Sequence, residues 1–216
     1  MFDLFDLTGQ CVLVTGASSG IGRHAAGVFA HAGAKVAVAA RRRHRLTNFV
    51  GEIHGAGGQA YPVGLDVTDE GAIDAAFEEI EADFAPIDIL FNNAGTTTSK
   101  PPFEHTAEDW RAVIDTNLNS AWFMASAVAK RMAARGDALP PGGGSIINTT
   151  SVGATRTMVR VPAYLASKAG LAHLTQQMAM EVAPMRIRVN SIAPGLFVTE
   201  MSTAYIRIEH GKEMLS

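Results

Sequence analysis

The 216 residues carry 18 Lys+Arg against 21 Asp+Glu, a formal charge of −3, with 47% hydrophobic and only 18% charged residues. That balance argues against intrinsic disorder, a coiled coil or a basic nucleic-acid surface, and the lone Cys11 rules out an internal disulfide framework or a Cys-based zinc site. The start, MFDLFDLTG, has no cationic signal-peptide region, and no apolar run approaches the roughly 18 residues a bilayer needs, so a cytoplasmic chain of one domain, 1–216, is expected.

In chain order, Gln10–Thr15 (QCVLVT) reads as an apolar strand closed by Gly16, and Gly20 to about Ala32 as a helix ended by Gly33. Lys35–Ala40 (KVAVAA) is a second strand, followed by a basic helix to about Ala56 and the breaker Gly57-Gly58. Ala60–Leu65, Ile87–Phe91, Ser145–Thr149 and Ile187–Ile192 supply four more strands, with helices at about 69–84, 107–135 and 162–183. The stretch GDALPPGGG at 136–144 reads as a surface loop. Short strands, apolar on both faces and separated by helices, predict an α/β fold with a parallel sheet covered on both sides. Right-handed crossovers make it doubly wound and Rossmann-like.

Ligands collect at the carboxyl ends of such strands, and the unusual residues fall there. Thr15-Gly16-Ala17-Ser18-Ser19-Gly20-Ile21-Gly22 joins the first strand to the first helix, where glycines let the backbone approach a pyrophosphate and free N–H groups face it. Asp66-Val67 and Asn92-Asn93-Ala94-Gly95 follow the third and fourth strands. Taken singly, Asp66 could be a helix N-cap and NNAG a plain turn. Tyr164 and Lys168 stand i, i+4 on one helix face, and Ser151 follows a strand thirteen residues before Tyr164. A phenol titrates near ~10 and exchanges protons poorly at neutral pH, but a neighbouring ammonium favours the phenolate. The plainer alternatives are a helix-start aromatic, a solvated lysine and a capping serine.

TGASSGIG at 15–22, NNAG at 92–95, Ser151, Tyr164-x-x-x-Lys168 and Pro194-Gly195, in this order and spacing, resemble the short-chain dehydrogenase/reductase family from about residue 8 to 201, and within it 3-oxoacyl carrier-protein reductases. The resemblance implies strand order 3-2-1-4-5-6, with an NAD(P) coenzyme across the sheet. It implies contacts from Gly16, Ser18, Ser19, Gly20, Ile21, Gly22, Asp66, Val67, Asn93, Ala94 and Gly95. The backbone near Phe197, after Pro194-Gly195, together with Thr199, would hold the nicotinamide carboxamide. Tyr164 would be the acid in reduction and the base in oxidation, Lys168 its tuner and a ribose ligand, and Ser151 the group polarising the substrate oxygen. Asn117 would hold a water in the proton relay, with Asn119 the competing choice.

At the end of the second strand an acid would accept from the ribose hydroxyls of NAD; Ala40 stands there and Arg41 follows. A guanidinium suits a phosphate, and Ser18 can add a hydroxyl, so NADP(H) is expected, with NAD possible. The alternative is a solvated basic start to the next helix over Arg41–Arg45, a placement that a helix N-terminus disfavours unless an anion is near.

The expected function is hydride transfer between NADP(H) and a ketone or secondary alcohol, by carbonyl or β-ketoacyl reduction. The alternative is a truncated dinucleotide-binding protein with little turnover and a regulatory or partner role. Relatives usually continue through a substrate-covering helix and a seventh strand, which Ala204–Ser216 is too short to supply, so the sixth strand is expected to be an exposed edge. A small carbonyl or alcohol is the expected partner, with no nucleic acid, no membrane and no metal, since the seven histidines form no ligand-spaced pair with a nearby acid. Helix 162–183, apolar around most of its circumference, predicts with helix 118–135 a homo-oligomer, dimer or tetramer, with Ala172 and Met178 in the interface. Arg156 and Arg160, between Ser151 and Tyr164, read either as a solvated loop or as a preference for an anionic substrate group.

Overall fold

A computed structural model of the chain describes residues 5–206. The strands are β1 (Cys11–Thr15), β2 (Lys35–Ala40), β3 (Gln59–Gly64), β4 (Ile89–Asn92), β5 (Gly144–Thr149) and β6 (Ile187–Ile192). The helices are α1 (Gly20–His31), α2 (Arg43–Gly55), α3 (Glu70–Asp83), α4 (Ala107–Ile114), α5 (Ser120–Arg135), α6 (Pro162–Val182) and α7 (Glu200–Ile206). All strand pairs are parallel, in the order β3-β2-β1-β4-β5-β6. The doubly wound sheet is therefore present, with β1 buried along its whole length at its centre.

Alternate side chains of β1 enter two separate cores, because successive residues of a strand point to opposite faces. Leu13 joins Phe77 and Ile80 of α3, Met124 and Met132 of α5, and Met178 of α6. Val12 and Val14 join Ala26 of α1 and Leu46 and Phe49 of α2 on the other face. Asp88 fastens the bottom of this sheet. It is buried, accepts from the Cys11 amide through Oδ2 at 2.9 Å, and accepts from Arg135 Nη2 through Oδ1 at 2.7 Å. Burial pushes the Cys11 thiol up to about 12, so it behaves as a small apolar side chain at neutral pH.

Three features differ from the sequence pattern. The helix expected over 107–135 is interrupted by a π-turn at Asp115–Asn119, where one extra residue per turn rotates the following side chains. β6 is apolar on one face only: Ile187 and Val189 are buried, while Arg188 and Asn190 face out. Among the described residues its only strand neighbour is β5. Met178 is not an outward-facing residue, since Leu171, Thr175, Met178 and Val182 form the stripe of α6 that meets the sheet. Met180, 79% exposed, points the other way. No described helix is long and apolar enough to cross a membrane, and no described group of three His, Cys, Asp or Glu could hold a metal. The expectations for the first four residues and for 207–216, including most of the segment set against a seventh strand, lie outside the described residues.

Candidate active site

The loops after β1 and β4 are bonded to each other. Thr15 Oγ1 accepts from the amides of Asn93 (2.9 Å) and Ala94 (3.0 Å), and Asn93 Nδ2 donates to the Thr15 carbonyl (3.1 Å). Gly16 sits at φ +66°, and a Cβ there would lie 3.0 Å from the Ala94 Cα, so only glycine allows this approach. α1 starts at Gly20 with Ser19 as an extended N-cap whose side chain makes no capping bond. Its first N–H groups are left for an anion.

The second half of the site comes from β5, the π-turn and α6. Ser151 lies two residues beyond the end of β5 and caps a short 3-10 turn, Val152–Ala154, by accepting from the Gly153 amide at 3.0 Å. The capping role and the cavity-lining role thus coexist, and the hydroxyl proton is still free to be donated. Tyr164 lies in the first turn of α6, with Lys168 one turn on and its Nζ 5.8 Å from the Tyr164 ring centroid. Lys168 is 4% exposed; its Nζ donates to the Thr149 carbonyl at 2.7 Å, and burial pushes its pKa down to about 8.

The π-turn sends the two asparagines in different directions. Asn117 is buried, donating to the Thr96 carbonyl (2.9 Å) and Ser167 Oγ (3.1 Å) and accepting from the Thr96 amide (2.7 Å). Asn119 is exposed and donates to Asp115 instead.

Every residue expected at the site lines a single cavity of about 740 Å³, apart from Gly22 and Asn117. Gly22 packs beneath the glycine loop against Gly16 and the Asn93 side chain. Asn117 lies behind Gly95, where a Cβ would be 3.3 Å from Asn117 Oδ1 and 3.8 Å from Lys168 Nζ. The cavity spans from the arginines after β2, past the α1 N-terminus, to Ser151 and Tyr164. Thr149 Oγ1 and Thr97 Oγ1 line it, shielded and without a protein partner; Ser99 Oγ and Arg160 Nε, outside the lining, are likewise shielded and unpartnered. Arg160 also holds a left-handed backbone at φ 68°, its carbonyl bound by the Lys100 amide. Arg156 is exposed, as in a solvated loop.

Arg42 and Glu200 are among the lining residues that the sequence reading did not single out. Arg41 points mostly into solvent, 77% exposed, with Asp66 Oδ2 at 3.9 Å. Arg42 turns back to the glycine loop, its Nη2 donating to Ser18 Oγ (2.9 Å) and Ser19 Oγ (3.3 Å). Glu200, on α7, meets Arg42 from across the mouth. The basic run was visible, but which arginine folds back is set by the chain direction at the start of α2. A serine hydroxyl free to donate, a tyrosine beside a buried lysine and a glycine loop at a helix N-terminus in one cavity suit proton exchange with a carbonyl next to a bound dinucleotide.

Comparison with known proteins agrees in kind. The family described as short chain dehydrogenase matches residues 10–209. Gluconate 5-dehydrogenase of Gluconobacter oxydans (strain 621H) is 36% identical over 213 residues, 99% of this chain and 81% of that protein. The 7alpha-hydroxysteroid dehydrogenase of Escherichia coli (strain K12) is 35% identical, with the same coverage of 99% and 81%. Among solved structures, a short-chain type dehydrogenase/reductase from Mycobacterium marinum superposes with a TM-score of 0.89 at 38% identity, over 94% of this chain and 79% of that one. A gluconate 5-dehydrogenase from Burkholderia cenocepacia J2315, in complex with NADP and tartrate, gives 0.89 at 33% identity, over 98% and 80%.

Proposed function

The chain belongs to the short-chain dehydrogenase family, and from that premise we propose that it is an NADP(H)-dependent oxidoreductase interconverting a ketone and a secondary alcohol. The carrying observation is that Ser151, Tyr164 and Lys168 surround the same cavity whose far end is the glycine loop. The coenzyme, when bound, supplies or accepts the hydride. The glycine loop and the free α1 N–H groups would hold its pyrophosphate, and the Lys168 ammonium would hold its ribose. In reduction the Tyr164 hydroxyl gives its proton to the substrate oxygen; in oxidation the phenolate takes one back. Lys168 favours that phenolate electrostatically. Ser151 donates to the substrate oxygen and fixes its position. Asn117, anchored to both Thr96 backbone groups, keeps the backbone beside Lys168 in place for a proton-carrying water. A protein that only bound dinucleotides would leave this set without a task.

Within that chemistry, Thr97, whose shielded hydroxyl lines the cavity without a protein partner, favours a hydroxylated substrate. The gluconate and keto-gluconate names of several relatives support the same class. A turnover screen of keto-acids, sterols, β-ketoacyl thioesters and simple ketones, with each reduced coenzyme, tests this reading. Keto-sugar acids with NADPH are expected to give the highest kcat/KM, and no turnover with any of them removes it.

The coenzyme preference rests on Ala40 and the arginines after it. Arg41→Ala is expected to weaken NADP(H) about ten- to a hundredfold, the loss of one charge-assisted phosphate contact of about 1.5–3 kcal/mol, and to spare NAD(H). Titration of both coenzymes checks it; equal dissociation constants in the unmodified protein return Arg41 to the solvent. The exposed apolar Trp122 on α5 and Met180 on α6 support self-association through these helices. Met180→Arg is expected to shift the assembly toward monomer in light scattering, and a monomeric unmodified chain contradicts it.

A further inference from the structure

One carboxylate ties two distant parts of the chain across the coenzyme mouth. Glu200, at the start of α7, accepts from Arg42 Nη1 at 3.0 Å and from Arg45 Nη1 at 2.6 Å. The segment after β6 is thereby fastened to the first turn of α2. The other terminal nitrogen of Arg42 is on Ser18 and Ser19 in the glycine loop. Arg42 and Glu200 both line the main cavity, and Glu200, Arg45, Ser18 and Ser19 also line a smaller one of about 430 Å³ beside it. α2 has no acid in its first turn and no side-chain cap. Its positive end gathers arginines and calls for an anion from elsewhere. Glu200 is the anion present.

We propose that Arg42 is a second ligand for the 2′-phosphate of NADP(H) and that Glu200 is its internal competitor, released when the phosphate takes the guanidinium. The proposal rests on the coenzyme reading given above. A phosphate brings up to two charges and three acceptor oxygens to a guanidinium, where the carboxylate brings one charge and two oxygens. The Glu200–Arg42 pair is half exposed, 56% and 41%, so it is held weakly and yields readily. Hydrogen bonds from Arg45 and Arg42 hold the Glu200 carboxyl below the usual carboxylate range, so it is anionic at neutral pH. It repels a phosphate until it moves aside. NAD(H) has no such phosphate and leaves the tie intact. Discrimination between the coenzymes is therefore set by a repulsive element as well as by attractive ones.

The test is fluorescence titration of the full chain with NADPH and NADH, for the unmodified protein, Glu200→Gln, Arg42→Ala and the double variant. Circular dichroism and thermal unfolding establish that each variant folds. Glu200→Gln is expected to bind NADPH about three- to fivefold tighter, with NADH changed less than about 1.5-fold. Arg42→Ala is expected to weaken NADPH about tenfold. In the Arg42→Ala background the gain from Glu200→Gln should vanish, because the competition acts through Arg42. An unchanged NADPH affinity in Glu200→Gln, an equal gain for both coenzymes, or a gain that persists without Arg42 overturns the proposal and leaves the coenzyme reading standing. An unmodified chain that binds both coenzymes equally overturns that reading and this proposal together.

Discussion

Tyr164→Phe is expected to lower kcat by about 100- to 10,000-fold while the dissociation constant of NADPH changes by less than about threefold. The substitution removes only the hydroxyl. The aromatic ring keeps its place in the first turn of α6, and the pyrophosphate contacts lie at the other end of the cavity. A loss of affinity comparable to the loss of turnover would mean that Tyr164 holds coenzyme rather than exchanging a proton. Turnover near that of the unmodified protein, with any accepted ketone, would remove the proton-transfer role altogether.

Lys168→Met is expected to impair both turnover and coenzyme binding, and yet not to destabilise the unliganded chain. Lys168 is almost completely buried with a single protein hydrogen bond, and burial pushes its pKa from 10.5 down to about 8. Below about pH 8 the native and unfolded chains both carry the charge, and the native state bears the full penalty. Between about pH 8 and 10.5 the unfolded chain binds more protons, so this group's contribution to stability rises with pH across that window. The shift corresponds to about 3 kcal/mol, from which the lost Thr149 hydrogen bond, given by a charged group, removes about 1.5–3 kcal/mol. Denaturant unfolding at pH 7 should therefore find Lys168→Met no less stable than the unmodified protein and up to about 2 kcal/mol more stable, with the difference shrinking toward pH 10.5. A variant less stable at pH 7 would mean that the ammonium is solvated or paired in the native state.

The strand pattern was legible because a central parallel sheet demands continuous apolar runs. Lys35–Ala40 matches β2 residue for residue, because the apolar run is closed by Arg41; the bounds of β6 also match, although only Ile187 and Val189 of that strand are buried. The glycine loop and the Tyr164–Lys168 pair were legible for the same kind of reason: their chemistry depends on local spacing. What depended on the direction of a single turn was hidden. Nothing in DTNLN marks the π-turn that buries Asn117 and exposes Asn119. Met178 and Met180 differ by two residues, a rotation of ~200° on a helix, and apolarity all around α6 erased the distinction between inside and outside. Arg42 was one residue from the arginine singled out, and while its Nη2 lies on Ser18 its Nη1 pairs with Glu200, 158 residues later. Long-range pairings of that kind leave no periodic trace.

Transfer of deuterium from NADPH labelled at the reactive ring carbon tests the central claim most directly. Mass spectrometry of the alcohol formed from an accepted ketone should find one deuterium on the former carbonyl carbon per turnover, from one face of the nicotinamide only, and almost none with Tyr164→Phe in the same time. Unlabelled alcohol, or tight NADPH binding without transfer to any ketone of the panel, would contradict it.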